Sequence, residues 1–278
     1  MGTRTALVLG GGGITGIAWE IGILHGLAEA GVDLTDADVV IGTSAGSVVG
    51  SQITSGLPLT ELYAEQLAPA DTEIGGAFTR LGALRLVPPY VLPGSGRDKL
   101  RRVGALAMKA HAPGSVDRVG VIRSRLPVHA WPERELKVTA VEAETGRFTV
   151  FDRHGDSDLV DAVAASCAVP TVWPPVAIGG RHYVDGGMRS TANVDLAEGC
   201  DRVVVLAPLP RTFSKRTSIR AQLERVAPRQ WSVVTPDAEA LAAFGKNLLD
   251  PAKRADSART GVRQAAGLVE ELRHVWVS

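Results

Sequence analysis

The sequence predicts an α/β fold, a three-layer α/β/α sandwich with a mostly parallel central sheet. Short apolar runs typical of buried strands alternate along the chain with segments whose apolar residues recur every three or four positions. Two of the earliest runs lead through glycine-rich turns directly into helical segments. Because strands that alternate with helices form parallel sheets covered on both faces, this order favours helix layers on both sides of one sheet.

The chain is long enough to build one large hydrophobic core. It has 278 residues, of which 45% are hydrophobic and 22% charged. We find no internal repeat and no low-complexity tail. We therefore expect a single domain over residues 1–278, with an insertion at about 57–130.

The first predicted strand, Thr5 to Leu9, runs into four successive glycines at positions 10–13. A helical pattern of apolar residues follows and ends at Gly31. Glycines leave their backbone N–H groups uncovered, and at a helix N-terminus such groups bind a phosphate or a developing oxyanion. A tight turn that only lets the strand and the helix pack closely is the alternative.

The same run also fits a second pattern, because Gly11, Gly13 and Gly16 match the dinucleotide-binding fingerprint. That function requires an acidic residue at the carboxyl end of the next strand. Asp36 and Asp38 lie at the beginning of that strand instead, at the wrong edge of the sheet. A phosphate-binding P-loop is also disfavoured, since no Lys followed by Ser or Thr comes after the glycines.

The second predicted strand ends at Ile41 and is followed by the pentapeptide 42–46, Gly-Thr-Ser-Ala-Gly, and then by a helix. A strand, a Gly-x-Ser-x-Gly turn and a helix together form a nucleophile elbow. The small residues Gly42 and Gly46 keep neighbouring side chains away from the serine, which makes Ser44 a candidate nucleophile. The alternative is an ordinary strand-to-helix turn in which Ser44 caps the helix.

A third motif, Asp185-Gly186-Gly187, follows the short predicted strand 181–184. Taken alone, it is typical of a β-turn. A serine nucleophile, however, needs a base within hydrogen-bond reach. None of the six histidines lies where the triad of an α/β-hydrolase requires one, so a carboxylate base acting directly on the serine is the better interpretation.

We interpret residues 57–130 as a cap or lid over the site. Within them, Leu59 to Leu67 is predicted to be helical and 69–97 to be loop-like, because it is rich in proline and glycine. Arg97 to Ala110 has the pattern of a basic amphipathic helix. Such a helix either rests on anionic lipid or presents an ordinary solvated face.

The remaining segments complete the α/β pattern. They are predicted as a hairpin of strands 136–141 and 147–151, a helix at 159–168, strands at 202–206 and 231–234, and a terminal helix from 250 onwards. Trp173, in the rigid loop after the helix, either walls an acyl pocket or packs in the core.

Composition restricts the partners and the compartment. The 30 basic and 30 acidic residues cancel, which argues against a nucleic-acid partner. Cys167 and Cys200 suffice for neither a disulfide scaffold nor a metal site. The first strand begins almost at Met1, and no apolar run reaches the roughly 18 residues of a membrane span. We expect a cytoplasmic protein that touches membranes or micelles without crossing them.

The three motifs, in this order, resemble those of the patatin-like phospholipases. A further block, Ala164 to Pro170, is similar to another segment of that family, as are 233–237 and the Arg- and Ala-rich final helix. The resemblance spans nearly the whole chain except roughly residues 57–135. It implies a patatin-like fold and a serine acyl hydrolase that acts on a lipid or another carboxylic ester.

The resemblance also implies a Ser–Asp dyad without metal or cofactor. Ser44 would attack the ester and form an acyl-enzyme, and Asp185 would take the serine proton and later activate water. The backbone N–H groups of Gly11, Gly12 and Gly13 would hold the oxyanion. The other motif glycines would support these turns: Gly16, Gly42, Gly46, Gly186 and Gly187.

One position departs from the family pattern, because many members carry Arg or Lys where this chain has Thr15. The absence of a cation at this position weakens the case for a phospholipid substrate. It leaves the nucleophile, the oxyanion donors and the base in place. Two further alternatives stay open: a lipid-binding or regulatory protein that keeps the fold, and an acyltransferase that uses the same serine. The pattern does not identify the acyl-chain length, the head group or the oligomeric state.

Overall fold

Eight strands form one sheet in the computed structural model, which describes residues 2–69, 80–110, 117–212 and 214–277. The strands are β1 (Thr5–Leu9), β2 (Val39–Gly42), β3 (Glu135–Glu142), β4 (Phe148–Phe151), β5 (Val176–Ile178), β6 (Arg181–Asp185), β7 (Arg202–Leu206) and β8 (Gln230–Val234). Their order is β5-β6-β3-β2-β1-β7-β8, with β4 also paired to β3. The predicted strand bounds of β1 and β7 are confirmed.

The sheet is mixed but mostly parallel. The five strands β3, β2, β1, β7 and β8 pair in parallel, whereas β4, β5 and β6 pair antiparallel to their neighbours. All residues of β2 are buried, as are all but the first of β1. Because a buried parallel strand needs cover on both faces, these runs are apolar throughout rather than alternating.

Eleven helices surround the sheet in the described part of the chain. They are α1 (Gly13–Glu29), α2 (Ala45–Ile53), α3 (Leu59–Leu67), α4 (Arg80–Val91), α5 (Gly96–Ala110), α6 (Arg118–Arg123), α7 (Leu159–Ser166), α8 (Ile219–Val226), α9 (Ala238–Phe244), α10 (Arg254–Ala266) and α11 (Val269–Trp276). Not one of the helices in these ranges combines the length and apolarity needed to span a bilayer.

Two hydrophobic cores lie on opposite faces of the sheet, which confirms the three-layer architecture. Successive side chains of a strand point to opposite faces. Leu7 and Leu9 of β1 accordingly pack with α1, α2, α7 and α10, whereas Ala6 and Val8 pack with α8 and the segment around Val194.

The predicted loop 69–97 is partly wrong, because α4 occupies Arg80–Val91 and includes Pro88 and Pro89. Tertiary contacts override the proline signal here. Leu86 is almost fully buried against β3 and β6, and the Tyr90 hydroxyl donates to the Met188 carbonyl at 2.6 Å. The part of the predicted loop at 70–79 lies outside the described residues.

The predicted terminal helix is divided in two. α10 ends at Ala266, and α11 begins at Val269 after Gly267. Three helices and one strand, α6, α8, α9 and β5, were not predicted at all. The predicted helices at Leu59–Leu67 and Arg97–Ala110 are confirmed as α3 and α5.

Candidate active site

Ser44 stands on a strained turn between β2 and α2. Its backbone has φ 53° and ψ −116°, in the left-handed half of conformational space that L-residues with a side chain avoid. The flanking glycines are sterically required: a Cβ on Gly42 would lie 2.5 Å from the Cα of Ser47, and one on Gly46 would lie 2.1 Å from the carbonyl oxygen of Leu9. This geometry is that of a nucleophile elbow.

The strained residue has both of its backbone polar groups satisfied. Its N–H donates to the Ser166 hydroxyl at 2.9 Å, and its carbonyl accepts from the Ser47 hydroxyl at 2.7 Å and from the Cys167 thiol at 3.3 Å. Ser44 holds the N-cap position of α2 but makes no side-chain capping bond. Its hydroxyl is therefore directed elsewhere.

The sheet brings Asp185 to the same stretch of β3 as the elbow. Gly42 pairs with Val138 and Asp185 pairs with Ala140, two residues further along β3. Ser44 and Asp185 are both buried and line the same cavity, where the Ser44 side chain lies close enough to the Asp185 carboxyl to lower its pKa. The second and third motifs therefore meet in one cavity, and no histidine is among its described lining residues.

Burial raises the pKa of the Asp185 carboxyl to about 6. The Ser44 side chain, the hydrogen bond from the Gly187 N–H at 2.7 Å and the positive charge of Arg118 oppose this shift without cancelling it. A carboxylate with this pKa is a stronger base than an exposed aspartate and is still ionised at neutral pH.

A buried amide ties the elbow to the Asp185 turn. The side-chain nitrogen of Asn193 donates to the Thr43 hydroxyl at 3.0 Å and to the Ser190 carbonyl at 2.9 Å. Thr43 in turn shares a 2.9 Å hydrogen bond with Thr139 of β3. A Cβ on Gly186 would lie 2.4 Å from the Thr139 hydroxyl, so this turn also requires glycine.

The glycine loop after β1 faces Ser44, with the Gly11 Cα turned toward its side chain. The expectation that three glycine N–H groups point at the site needs one correction. The Gly11 N–H donates to the Thr191 carbonyl at 2.8 Å, so it is already engaged. In the described part of the chain, the N–H groups of Gly12 and Gly13 have no protein acceptor.

Close packing explains why this loop is made of glycine. A Cβ on Gly12 would lie 2.5 Å from the Pro208 ring, and Gly13 has φ +64° with the Leu248 carbonyl 2.6 Å from its Cβ position. Gly16, one turn into α1, also approaches Pro208. The loop is thus clamped between α1 and the segments after β7 and α9.

Two buried polar side chains hold the loop from behind. The Glu20 carboxyl accepts the Gly10 N–H at 2.9 Å, and burial raises its pKa well above the ordinary value. Thr15 is fully buried, and its hydroxyl lies 3.4 Å from the carbonyls of both Gly12 and Leu248. Thr15 therefore braces the glycine loop and does not reach solvent.

A cavity of about 570 Å³ opens over Ser44, Asp185 and the glycine loop. Its wall is mostly apolar and includes Ile14, Leu86, Val169, Trp173, Met188 and Leu248. A second cavity of about 530 Å³ lies beside it, and Ile14, Ile17 and Arg125 line both.

Sequence comparison supplies the family. The profile of the Patatin-like phospholipase family matches residues 7–198, a segment that contains the glycine loop, the elbow and the Asp185 turn. This chain belongs to the patatin-like phospholipases.

Relatives of this patatin-like phospholipase are distant. The chain is 26% identical over 206 residues to "Lysophospholipase nte1" of Aspergillus niger, which covers 74% of this chain and 12% of that protein. It is 30% identical over 214 residues to an NTE family protein of Mycobacterium tuberculosis, covering 76% of this chain and 31% of the relative. The chain thus spans less than a third of the length of these curated relatives.

A solved structure supports the same fold. VipD from Legionella pneumophila superposes with a TM-score of 0.50 at 13% identity, over 97% of this chain and 67% of that one. At this identity the likeness concerns the patatin-like architecture alone.

Sequence analysis of this patatin-like phospholipase missed several residues of the site. Ser166, Asn193, Glu20 and Arg118 all contact or face the motif residues, although none of them belongs to the three main motifs. Only Ser166 gave a signal, because it lies in the family block Ala164–Pro170. His182, the histidine nearest the Asp185 motif, bonds to Glu144 on the surface at 2.7 Å instead.

Proposed function

We propose that this protein is a lipid acyl hydrolase that uses Ser44 as nucleophile and Asp185 as general base. The observation that carries the proposal is that Ser44, on its strained turn, lines one cavity with the buried Asp185 carboxyl, whose pKa is about 6. A serine is a weak nucleophile until an adjacent base removes its proton, and Asp185 is the proposed base.

Two displacement steps follow from this arrangement. Asp185 accepts the hydroxyl proton while the Ser44 oxygen bonds to the ester carbonyl carbon, and the same proton then passes to the departing alcohol. Water next attacks the acyl-Ser44 ester, gives a proton to Asp185 and releases the carboxylic acid, and that proton returns to Ser44. One carboxylate thus serves in both halves of the reaction.

The N–H groups of Gly12 and Gly13 are the proposed oxyanion donors. They are the glycine N–H groups without protein acceptors in the described part of the loop, and they lie in the cavity of Ser44. Gly13 also begins α1, whose positive end favours developing negative charge. Each such donor contributes on the order of 3 kcal/mol to the transition state.

A lipid ester fits the cavity better than a polar one. The wall is mostly apolar and large enough for an acyl chain. The name of the Aspergillus niger relative points to the same substrate class. α4 places Leu86 in the wall and exposes Leu84 and Val91 to solvent, so we propose that the cap at 57–130 meets the lipid surface through this helix.

The test is hydrolysis of p-nitrophenyl esters of increasing chain length. We expect wild type to prefer medium or long chains, and Ser44→Ala and Asp185→Asn each to lose activity by at least about three orders of magnitude. Ser55→Ala and Asp156→Asn, which lie away from the cavity, serve as matched controls. Full activity in either dyad variant would refute the proposal.

Labelling with a fluorophosphonate separates the alternatives. An activated Ser44 reacts quickly, whereas a lipid-binding protein with an inert serine does not. Product analysis with added alcohol reveals acyl transfer as a new ester, in place of the free acid that hydrolysis releases.

A further inference from the structure

Arg118 is a buried cation in the wall of the Ser44 cavity. It is the first residue of α6, whose N-cap residue Asp117 accepts the Gly120 N–H at 2.8 Å. Only 6% of the Arg118 surface is exposed. Arginine is rarely buried to this extent unless an anion pairs with it.

The protein satisfies only part of this guanidinium. One terminal nitrogen donates to the Cys167 carbonyl at 3.3 Å, and the group lies 4.5 Å from the centre of the Trp173 ring. The other two nitrogens, Nε and Nη1, are enclosed by the protein and have no hydrogen-bond partner among the described residues. A buried N–H without an acceptor is costly, and a charged one more so.

The electrostatic surroundings of Arg118 also favour an anion. Burial lowers the pKa of its guanidinium, and the like charge of Arg125, seven residues further on, acts in the same direction. Asp185 is a negative partner within electrostatic range, but no ion pair or hydrogen bond joins it to Arg118 among the contacts of the described residues. Two arginines on one wall therefore face the space where a substrate would lie.

We propose that Arg118, a buried cation in the cavity wall, pairs with the phosphodiester of the lipid substrate. This inference rests on the proposed acyl hydrolase function and narrows its substrate to a phospholipid or lysophospholipid. A guanidinium stays charged when buried and is weakly hydrated, which suits it to pair with a phosphate. Arg211 and Lys246 also line the cavity, but both are exposed, so neither carries the same energetic requirement for an anion.

The proposal also accounts for the buried Thr15. Thr15 braces the glycine loop and offers no charge to a head group. Arg118 supplies a cation to the same cavity from the cap, on a different segment of the chain. A phospholipid substrate is thus compatible with threonine at position 15.

The experiment compares two substrates that share one acyl chain: a lysophosphatidylcholine and the corresponding monoacylglycerol. We expect Arg118→Met to lower kcat/KM for the lysophospholipid by on the order of 10- to 100-fold more than for the neutral lipid. Arg118→Lys keeps the positive charge but not the guanidinium, and its kcat/KM for the lysophospholipid is expected to fall between those of wild type and Arg118→Met. Arg123→Met, on the exposed side of the same helix, is the matched control and should change neither rate.

An equal loss on both substrates would overturn the proposal, because Arg118 would then act through Asp185 or through the fold. The proposal would also be overturned if Arg118→Met weakened only the inhibition of the enzyme by free fatty acid, since Arg118 would then bind the carboxylate of the product. Thermal unfolding checks that Arg118→Met folds, and Arg118→Lys replaces it if it does not.

Binding to the Ser44→Ala variant keeps the inference separate from the proposed function. If wild type cleaves neither lipid and Ser44 resists fluorophosphonate, the proposed function fails. The Ser44→Ala protein should still bind lysophosphatidylcholine more tightly than monoacylglycerol, and the added Arg118→Met change should abolish that preference. No preference in Ser44→Ala would overturn the inference whatever the activity.

Discussion

The backbone N–H of Ser44 donates to the hydroxyl of Ser166 across 2.9 Å, so the end of α7 holds the strained elbow in place. Ser166→Ala would leave that buried N–H without a partner. We expect the free energy of unfolding to fall by about 1–3 kcal/mol and kcat to fall more than KM rises, because the nucleophile would lose its orientation. Urea unfolding and ester hydrolysis measure the two effects.

A serine in the adjacent helix provides the comparison. The Ser51 hydroxyl is also buried but donates to the Ser47 carbonyl inside α2. Since the Ser47 carbonyl also has a backbone partner within the helix, Ser51→Ala should lower the free energy of unfolding by less than about 1 kcal/mol. Equal losses from the two serines would contradict a special role for Ser166.

Gly46 has no room for a methyl group. A Cβ there would lie 2.1 Å from the Leu9 carbonyl oxygen, where α2 crosses the end of β1. We expect Gly46→Ala to lower the free energy of unfolding by about 3 kcal/mol or more. Gly155→Ala, where the nearest atom is 3.8 Å away, is the control; a comparably mild effect at Gly46 would show that the elbow can shift.

The rate of hydrolysis should depend on the ionisation of Asp185. Its pKa of about 6 means that the base is protonated, and so inactive, in more acidic solution. We expect kcat/KM to be constant above neutral pH and to fall about tenfold per pH unit below 6. The rate of fluorophosphonate labelling should follow the same curve, and an acid limb near pH 4 would argue that Asp185 is not the base.

The same carboxyl should make the fold less stable at neutral and alkaline pH than in acid. Because burial raises its folded-state pKa, the folded protein binds a proton that the unfolded chain has already released. The resulting loss in the free energy of unfolding is absent below pH 4 and complete above pH 6, and it amounts to roughly 3 kcal/mol.

Asp185→Asn removes this charge and should therefore unfold at higher urea concentration than wild type at pH 8. At pH 4 the two proteins should converge. Asp156→Asn, at an exposed aspartate, is the control. A difference of the same size at both pH values would show that packing rather than ionisation separates Asp185→Asn from wild type.

Local patterns predicted the elements that local forces dominate. β1 and β7 are continuous apolar runs, and the Gly-x-Ser-x-Gly turn admits few conformations, so both could be predicted from residues adjacent in the chain. A carboxylate base for Ser44 was expected because no histidine was suitably placed, and the family resemblance identified it as Asp185. Strand periodicity alone does not reveal that β6 pairs with β3.

The misses depend on partners that are distant in the sequence. The helix through Pro88 and Pro89 exists because Leu86 and Tyr90 find contacts on the sheet and near Met188. The N–H of Gly11 is engaged by a carbonyl far along the chain. Arg118 looks like any surface arginine until the fold encloses it.

The position of β1 has a consequence for how the protein is made. β1 lies between β2 and β7 in the sheet, and β7 covers the edge of β1 that β2 leaves open, with Thr5 opposite Arg202. During synthesis that edge stays open until most of the described chain has been translated, and an open apolar edge invites pairing with other chains. Contacts of such long range also slow folding. The sheet can therefore be completed only late in biosynthesis, after β7 has been translated.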